Sequence, residues 1–324
     1  MNSLLKAAGL ALAITTFVAV PAVAQTTLRL GTVLASSDPM GQGLEKFKEE
    51  VEAATDGAVK VEVFHNSQLG DTGDMLDQAR AGGNVGTVTD IARFSDFVPS
   101  LAIMSAPFMF DTYEEADTFA LSDQYREWSD QLAERAGIVL LASNWYQGPR
   151  HLLTQQPVSG PADLAGVRMR TIDAPVWIET VRAMGAVPTP MPWGEVYTAL
   201  QMGVLSGAEA QPTAITGAKL FEVVKNVTLT GHIHLVTALV VGADTWNSIS
   251  PEHQEIVRRL AVENGRYASQ LTLDLGDSAL ATVAEAGVDV TEIDLTPFKE
   301  AVAGVYDIVN LTAEAEIVRK VLNK

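Results

Sequence analysis

Short apolar strand patterns alternate with amphipathic helix patterns along almost the whole chain. That alternation restricts the fold to an α/β architecture, with mixed, mainly parallel sheets flanked by helices. Thr27-Leu-Arg-Leu-Gly-Thr-Val33 has the two-residue period of a strand. Residues 43–54 then place Leu44, Phe47 and Val51 at the three- and four-residue spacing of a helix, which Thr55-Asp-Gly57 ends. Residues 59–64 and 86–89 read as strands around a second helix at 71–81, and residues 114–121 and 124–136 are amphipathic. Gly137-Ile-Val-Leu-Leu-Ala142 is a short, fully apolar strand, after which residues 144–148 turn aromatic and turn-forming.

A second alternation follows. Val167-Arg-Met-Arg-Thr-Ile172 is a strand with its arginines on one face, and residues 175–185 form a helix closed by glycine. Residues 188–192 are a proline-rich loop, residues 193–201 resume helix, and residues 235–241 form a buried strand. From Pro251 to Ala286 the pattern is helical for long enough to bridge two lobes. A chain of 324 residues exceeds what one core usually organises. The expected division is residues 25–147 with 236–275 as one lobe and 148–235 with 276–324 as the other, with a ligand cleft between them.

The first residues read as an export signal. Lys6 supplies the positive charge, residues 7–20 are uncharged and largely apolar, and Ala22-Val23-Ala24 after Pro21 sets the cut between Ala24 and Gln25. The expected signal peptide is therefore residues 1–24, and the expected location is the periplasm. The chain has no cysteine, so neither a lipid anchor on a processed cysteine nor a disulfide framework is available. A formal net charge of −18 repels nucleic acid and anionic membrane, and no basic cluster offsets it. An anionic ligand on such a protein needs local positive charge, which directs attention to individual arginines.

Catalytic patterns are absent: there is no H-E-x-x-H, no G-x-S-x-G and no phosphate-cradling glycine loop. His232 and His234 share a face if they lie on one strand, but no further metal ligands accompany them. No cofactor is implied. The informative stretch runs from Asn144 to Gln211. Arg150 leaves a Gly-Pro turn and Arg170 lies on a strand twenty residues later, so two elements can converge. A guanidinium presents a planar fork that matches a carboxylate and keeps its charge when desolvated. Arg168 shares the face of Arg170, and alternation alone does not choose between them.

Several ordered blocks resemble one family over essentially the whole mature chain. They are Asp163-Leu-Ala-Gly-Val-Arg-Met-Arg170, then Met184-Gly-Ala-Val-Pro-Thr-Pro-Met-Pro-Trp-Gly-Glu-Val-Tyr-Thr-Ala-Leu-Gln201, then Gly203-Val-Leu-Ser-Gly-Ala-Glu209. Weaker support comes from Ser67-Gln-Leu-Gly70, Val98-Pro99, Ala106-Pro-Phe108 and Gly148-Pro-Arg150. The chain looks like a substrate-binding protein of the tripartite ATP-independent periplasmic (TRAP) transporters, of the dicarboxylate-receptor (DctP) type. The resemblance implies that Arg170 forms the main salt bridge to a ligand carboxylate, that Arg150 assists it, and that Trp193 packs on the bound acid. Asp90, Arg93 and Asp173 fall at further polar contact positions. Where the family commonly has an asparagine after the glutamate, this chain has Ala210, with Gln211 next to it as the polar side chain available. Trp145 and Tyr146 are expected as aromatic walls of the cleft.

The resulting expectation is a monomeric periplasmic receptor. It binds a small organic acid by lobe closure and delivers it to TRAP membrane subunits. A sugar acid or hydroxy acid is favoured, with a C4-dicarboxylate as the alternative ligand. A receptor feeding a signalling partner, or a periplasmic enzyme on the same fold, are the alternative functions; the enzyme would need an activated nucleophile or metal.

Overall fold

The structure, a computed structural model, describes residues 25–324, so the signal peptide expected at 1–24 lies outside the described residues. The first four strands are β1 (Thr26–Gly31), β2 (Val59–Phe64), β3 (Gly86–Asp90) and β4 (Ile138–Pro149). They are followed by β5 (His151–Thr154), β6 (Arg168–Thr171), β7 (Val187–Pro190), β8 (Gly207–Ala210) and β9 (Asn226–Thr228). The last two are β10 (His234–Gly242) and β11 (Asp289–Thr291). One sheet has the order β2-β1-β3-β10-β4 and the other β11-β9-β5-β8-β6-β7. Both are mixed: β1 lies parallel to β2 and β3, whereas β10 is antiparallel to β3 and β4. In the second sheet β6 is parallel to β7 and β8, and β5 is antiparallel to β8 and β9.

Strand alternation builds a core on each face of each sheet. In β10, Ala238 and Val240 join the cluster around Phe94, Leu101 and Phe119. Leu239 and Val241 point the other way, among Leu28, Phe47 and Leu260. In β5, Leu152 packs with Met169 and Phe298, and Leu153 with Leu200 and Val227. Helices cover these faces. Pro39–Ala54 begins earlier than the apolar spacing indicated, because Asp38 caps it by accepting the Met40 amide at 2.9 Å and Pro39 suits the first helical position.

The two sheets are tied together where the chain crosses between them. β4 leaves the first sheet at Pro149, and β5 opens in the second sheet at His151. The chain returns alongside, with His234 opposite Pro149 and the Arg150 amide donating to the Ile233 carbonyl at 2.9 Å. The helix Pro251–Glu285 makes a third connection: Val257, Leu260 and Ala268 lie in a first-sheet core and Val283 in a second-sheet core.

Three elements differ from the sequence expectation. Residues 144–148 are not a turn; aromatic side chains suit a strand, and β4 runs through them without a break. Part of the proline-rich stretch forms β7, at the edge of its sheet, where a missing amide donor is tolerated. The third difference concerns the division that put 276–324 with the second lobe. The helix Thr312–Val321 instead packs on a first-sheet core through Leu311, Ala315 and Val318, an i, i+4, i+7 apolar stripe. Ser100 donates to Glu314 at 2.8 Å beside it.

Trp145 lies wholly inside this frame. Its indole N–H donates to the Ala261 carbonyl at 3.1 Å, and a Cβ on Gly43 or Gly265 would come within 2.9 Å of its ring. Trp145→Ala is expected to cost about 3–5 kcal/mol of stability, read as a lower urea midpoint, with ligand affinity little changed. Normal stability combined with a large loss of affinity would return Trp145 to the site.

Candidate ligand-binding site

Arg150 is the single residue between the strands of the two sheets, so its side chain emerges at the crossover. It is buried, as is its partner Glu209 on β8. Its guanidinium donates to the Glu209 carboxylate and to the Glu209 backbone carbonyl. A further N–H reaches Gln211 Oε1 at 2.7 Å. Gln211 then donates to Gln147 Oε1 at 2.8 Å, and Gln147 donates to Thr237 Oγ1 at 3.3 Å. A continuous polar relay thus runs from the second sheet, through the crossover, to β10 of the first.

Arg170 approaches from β6. Its Nε donates to the Met191 carbonyl at 3.0 Å, and one terminal nitrogen stands 3.9 Å from Glu209. The guanidinium lies 5.4 Å from the centre of the Trp193 ring, and that of Arg150 lies 5.1 Å from Trp177. Burial lowers Arg170 to about 9, opposed by Glu209 and reinforced by Arg150 and Arg93, so it stays cationic at neutral pH. Burial likewise raises the Glu209 carboxyl, and the arginine in direct contact opposes this.

At the other side of the cavity, Asp90 ends β3. Its Oδ1 accepts from the Ala92 amide at 2.9 Å and from Ser105 Oγ at 2.7 Å, while Oδ2 is buried without a partner. Burial raises the Asp90 carboxyl. Among the described residues, no hydrogen bond or ion pair engages the Arg93 guanidinium. Burial lowers its pKa, and Asp90, Asp71 and Asp173 pull it back up.

These side chains line a cavity of about 250 Å³. Seven of the nine residues expected from sequence line it: Arg170, Arg150, Trp193, Asp90, Arg93, Asp173 and Gln211. Trp145 and Tyr146 do not. Trp145 is core, and Tyr146 faces away, its hydroxyl 2.8 Å from His234 Nδ1. The failure has a local cause: between Tyr146 and Gly148 the pairing with β10 slips, leaving Gln147 as an extra residue, and strand alternation no longer predicts which side chain faces the cleft. Gln147, Thr237 and Asp71 line the cavity and were not anticipated. Nor was Glu209 as the buried counterion, although its place two residues before Gln211 was readable.

Two lobes around an arginine-lined cavity are the architecture of solute-binding proteins that grip a ligand between lobes. The match to known proteins is specific. The model of the bacterial extracellular solute-binding proteins, family 7, covers residues 30–312, and the chain belongs to that family. A solute-binding protein of Roseobacter denitrificans is 30% identical over 277 residues, 86% of this chain and 85% of its own. A TRAP periplasmic solute-binding protein of Escherichia fergusonii, solved in an open, ligand-free form, is 43% identical with a TM-score of 0.79; the alignment covers 91% of this chain and 99% of that one. One from Actinobacillus succinogenes with bound L-galactonate is 30% identical with a TM-score of 0.87, covering 92% and 100%. The family comprises solute receptors, and periplasmic proteins are among its named members.

Glu209→Ala leaves two buried guanidiniums without their shared counterion and is expected to destabilise the protein by about 3–5 kcal/mol in chemical denaturation. The crossover also predicts a pH dependence. His151 is held at about 4 by burial, His234 and Arg150, and His232 at about 3 by burial, Arg150 and His151, against 6.5 when unfolded. Both are neutral in the fold, so their contribution is complete above pH 6.5 and is lost as the pH falls towards the folded values. Between pH 7 and 5 each should remove roughly 2 kcal/mol. His232→Gln should reduce the loss of stability between pH 7 and 5 by roughly 2 kcal/mol.

Proposed function

We propose that the protein is a periplasmic receptor for a small hydroxylated monocarboxylic acid of the sugar-acid type, which it delivers to the membrane subunits of a TRAP transporter. The observation that carries this reading is the state of Arg170. It is buried and cationic, it faces the cavity, and only Nε is committed to a neutral acceptor while Glu209 stands at 3.9 Å. A ligand carboxylate completes the fork. Trp193 supports the carbon skeleton beside it, and Gln211, just past the end of β8, takes the role of the family's asparagine from the next position. Around Arg93, the three carboxylates Asp71, Asp90 and Asp173 suit hydroxyl groups, which can donate to them.

A plain C4-dicarboxylate is the competing ligand, favoured by the absence of any partner for Arg93 among the described residues. The three nearby acids oppose a second ligand carboxylate. L-Galactonate in the Actinobacillus relative supports the sugar-acid reading. That acid-bound structure also overlaps better than the open one, despite lower identity, which supports a nearly closed cleft here. In this reading the lobes rotate about the crossing strands and the receptor works as a monomer. It binds without turning its ligand over, and it is exported by cleavage between Ala24 and Gln25.

A thermal-shift screen tests the proposal. A matching acid at about 100 times its Kd adds roughly 2.7 kcal/mol, or about 5 °C for a protein of this length. The rise should appear with L-galactonate or a close hydroxy acid, and be absent with the corresponding amide. Arg170→Ala should cost about 3–5 kcal/mol of binding. Response to succinate alone selects the dicarboxylate; response only to neutral or cationic solutes overturns the carboxylate reading.

A further inference from the structure

The strands that cross between the sheets have two faces, and only one borders the cavity described above. Arg150, Leu235 and Thr237 face that cavity, whereas His151 and His234 face the opposite side, as strand alternation requires. There a second cavity of about 330 Å³ opens, sharing only the Gln147 wall with the first. Its lining comes from both sides of the crossover: Tyr113 and Tyr146 from the first-sheet side, Pro212 and Thr213 from the second, and the bridging helix across the back.

Its chemistry is that of a recognition site. The Tyr113 and Tyr146 rings lie 5.1 Å apart, and the His234 ring stacks on Tyr146 at 6.0 Å with only 16° between planes. His151 Nδ1 accepts the Gly231 amide at 3.1 Å, which places the proton of the neutral ring on Nε2. No protein acceptor among the described residues takes that N–H, and His151 is only 7% exposed. That N–H is open to whatever fills the cavity, as a donor that no protein group among the described residues competes for. Glu114 and Asp277 stand exposed among the lining residues and make that rim negative.

One further residue points the same way. Gly276 sits inside the helix Pro251–Glu285, where glycine weakens the helix, and it lines this cavity. A Cβ there would meet nothing within 4 Å, so packing does not demand glycine. What its absent side chain preserves is cavity space.

We propose that this hinge-side cavity is a second binding site, separate from the central one, for a compact aromatic amine. The ring lies against Tyr113 and Tyr146, a hydrogen-bond acceptor on it meets His151 Nε2–H, and the ammonium group faces Glu114 and Asp277. The inference stands independently of which acid fills the central cavity.

Tyramine is the probe, with 4-hydroxyphenylacetate as its anionic counterpart, titrated calorimetrically into the ligand-free mature protein. Tyramine is expected to bind one to one and at least about tenfold more tightly than the anion, because the rim is acidic. Gly276→Leu fills the cavity from the helix and should weaken tyramine by about tenfold or more. Its urea midpoint reports whether it remains folded. If that variant does not fold, the double variant Glu114→Gln, Asp277→Asn should still weaken tyramine and erase its preference over the anion. Arg170→Ala should leave tyramine binding unchanged. No saturable tyramine binding at millimolar concentration, equal binding of the anion, full binding by folded Gly276→Leu, or loss of binding in Arg170→Ala would each overturn the proposal.

Discussion

The buried pair of Arg150 and Glu209 is the interaction on which the rest of the structure depends. Two charges removed from water incur a large desolvation cost, and only direct contact with further hydrogen bonds offsets it. Here Glu209 offers both carboxylate and backbone carbonyl to the same guanidinium, and Gln211 takes another of its N–H groups. Because Arg150 is also the residue that joins β4 to β5, the pair fixes the chain at one of the points where it crosses between the two sheets. Glu209 stands within ion-pair distance of Arg170 as well, so both guanidiniums are oriented before any ligand arrives. That preorganisation reduces the ordering that binding has to accomplish.

The placement of these arginines also answers the protein's overall charge. A net charge of −18 disfavours the approach of any anion. Screening limits that repulsion to about 10 Å at ordinary ionic strength. At buried side chains such as Arg150 and Arg170, an arginine–carboxylate contact is far stronger than on the surface. Three arginines thus lie within one small volume, which concentrates positive charge there despite the acidic exterior.

Much of this was legible in the sequence. The alternation of strand and helix and the bridging helix from Pro251 follow from period and spacing, whereas the choice of Arg150 and Arg170 rests on the resemblance of their blocks to the family. What stayed hidden involved contacts between distant segments. Apolar periodicity could not reveal that Leu311, Ala315 and Val318 cover a core built by residues two hundred positions earlier. Aromatic character alone could not separate Trp145, sealed under the bridging helix, from Trp193, which borders the ligand space. Nor does any local signal announce the slip at Gln147 that turns an amide into the cleft, since it arises from the pairing of β4 with a strand some ninety residues away.

Arg150 belongs at once to the backbone pivot and to the wall of the cavity, and this double membership has an evolutionary consequence. At that end of the pocket, a substitution that alters recognition also alters the pivot, so it is visible to selection twice and rarely tolerated. The opposite end is built from Asp71, Arg93 and Asp173, which sit on separate elements away from the crossing. Those positions can be exchanged without touching the machinery of movement. A lineage of such receptors is therefore free to diversify in what it recognises beyond the carboxylate, while the manner of gripping the carboxylate itself is inherited unchanged.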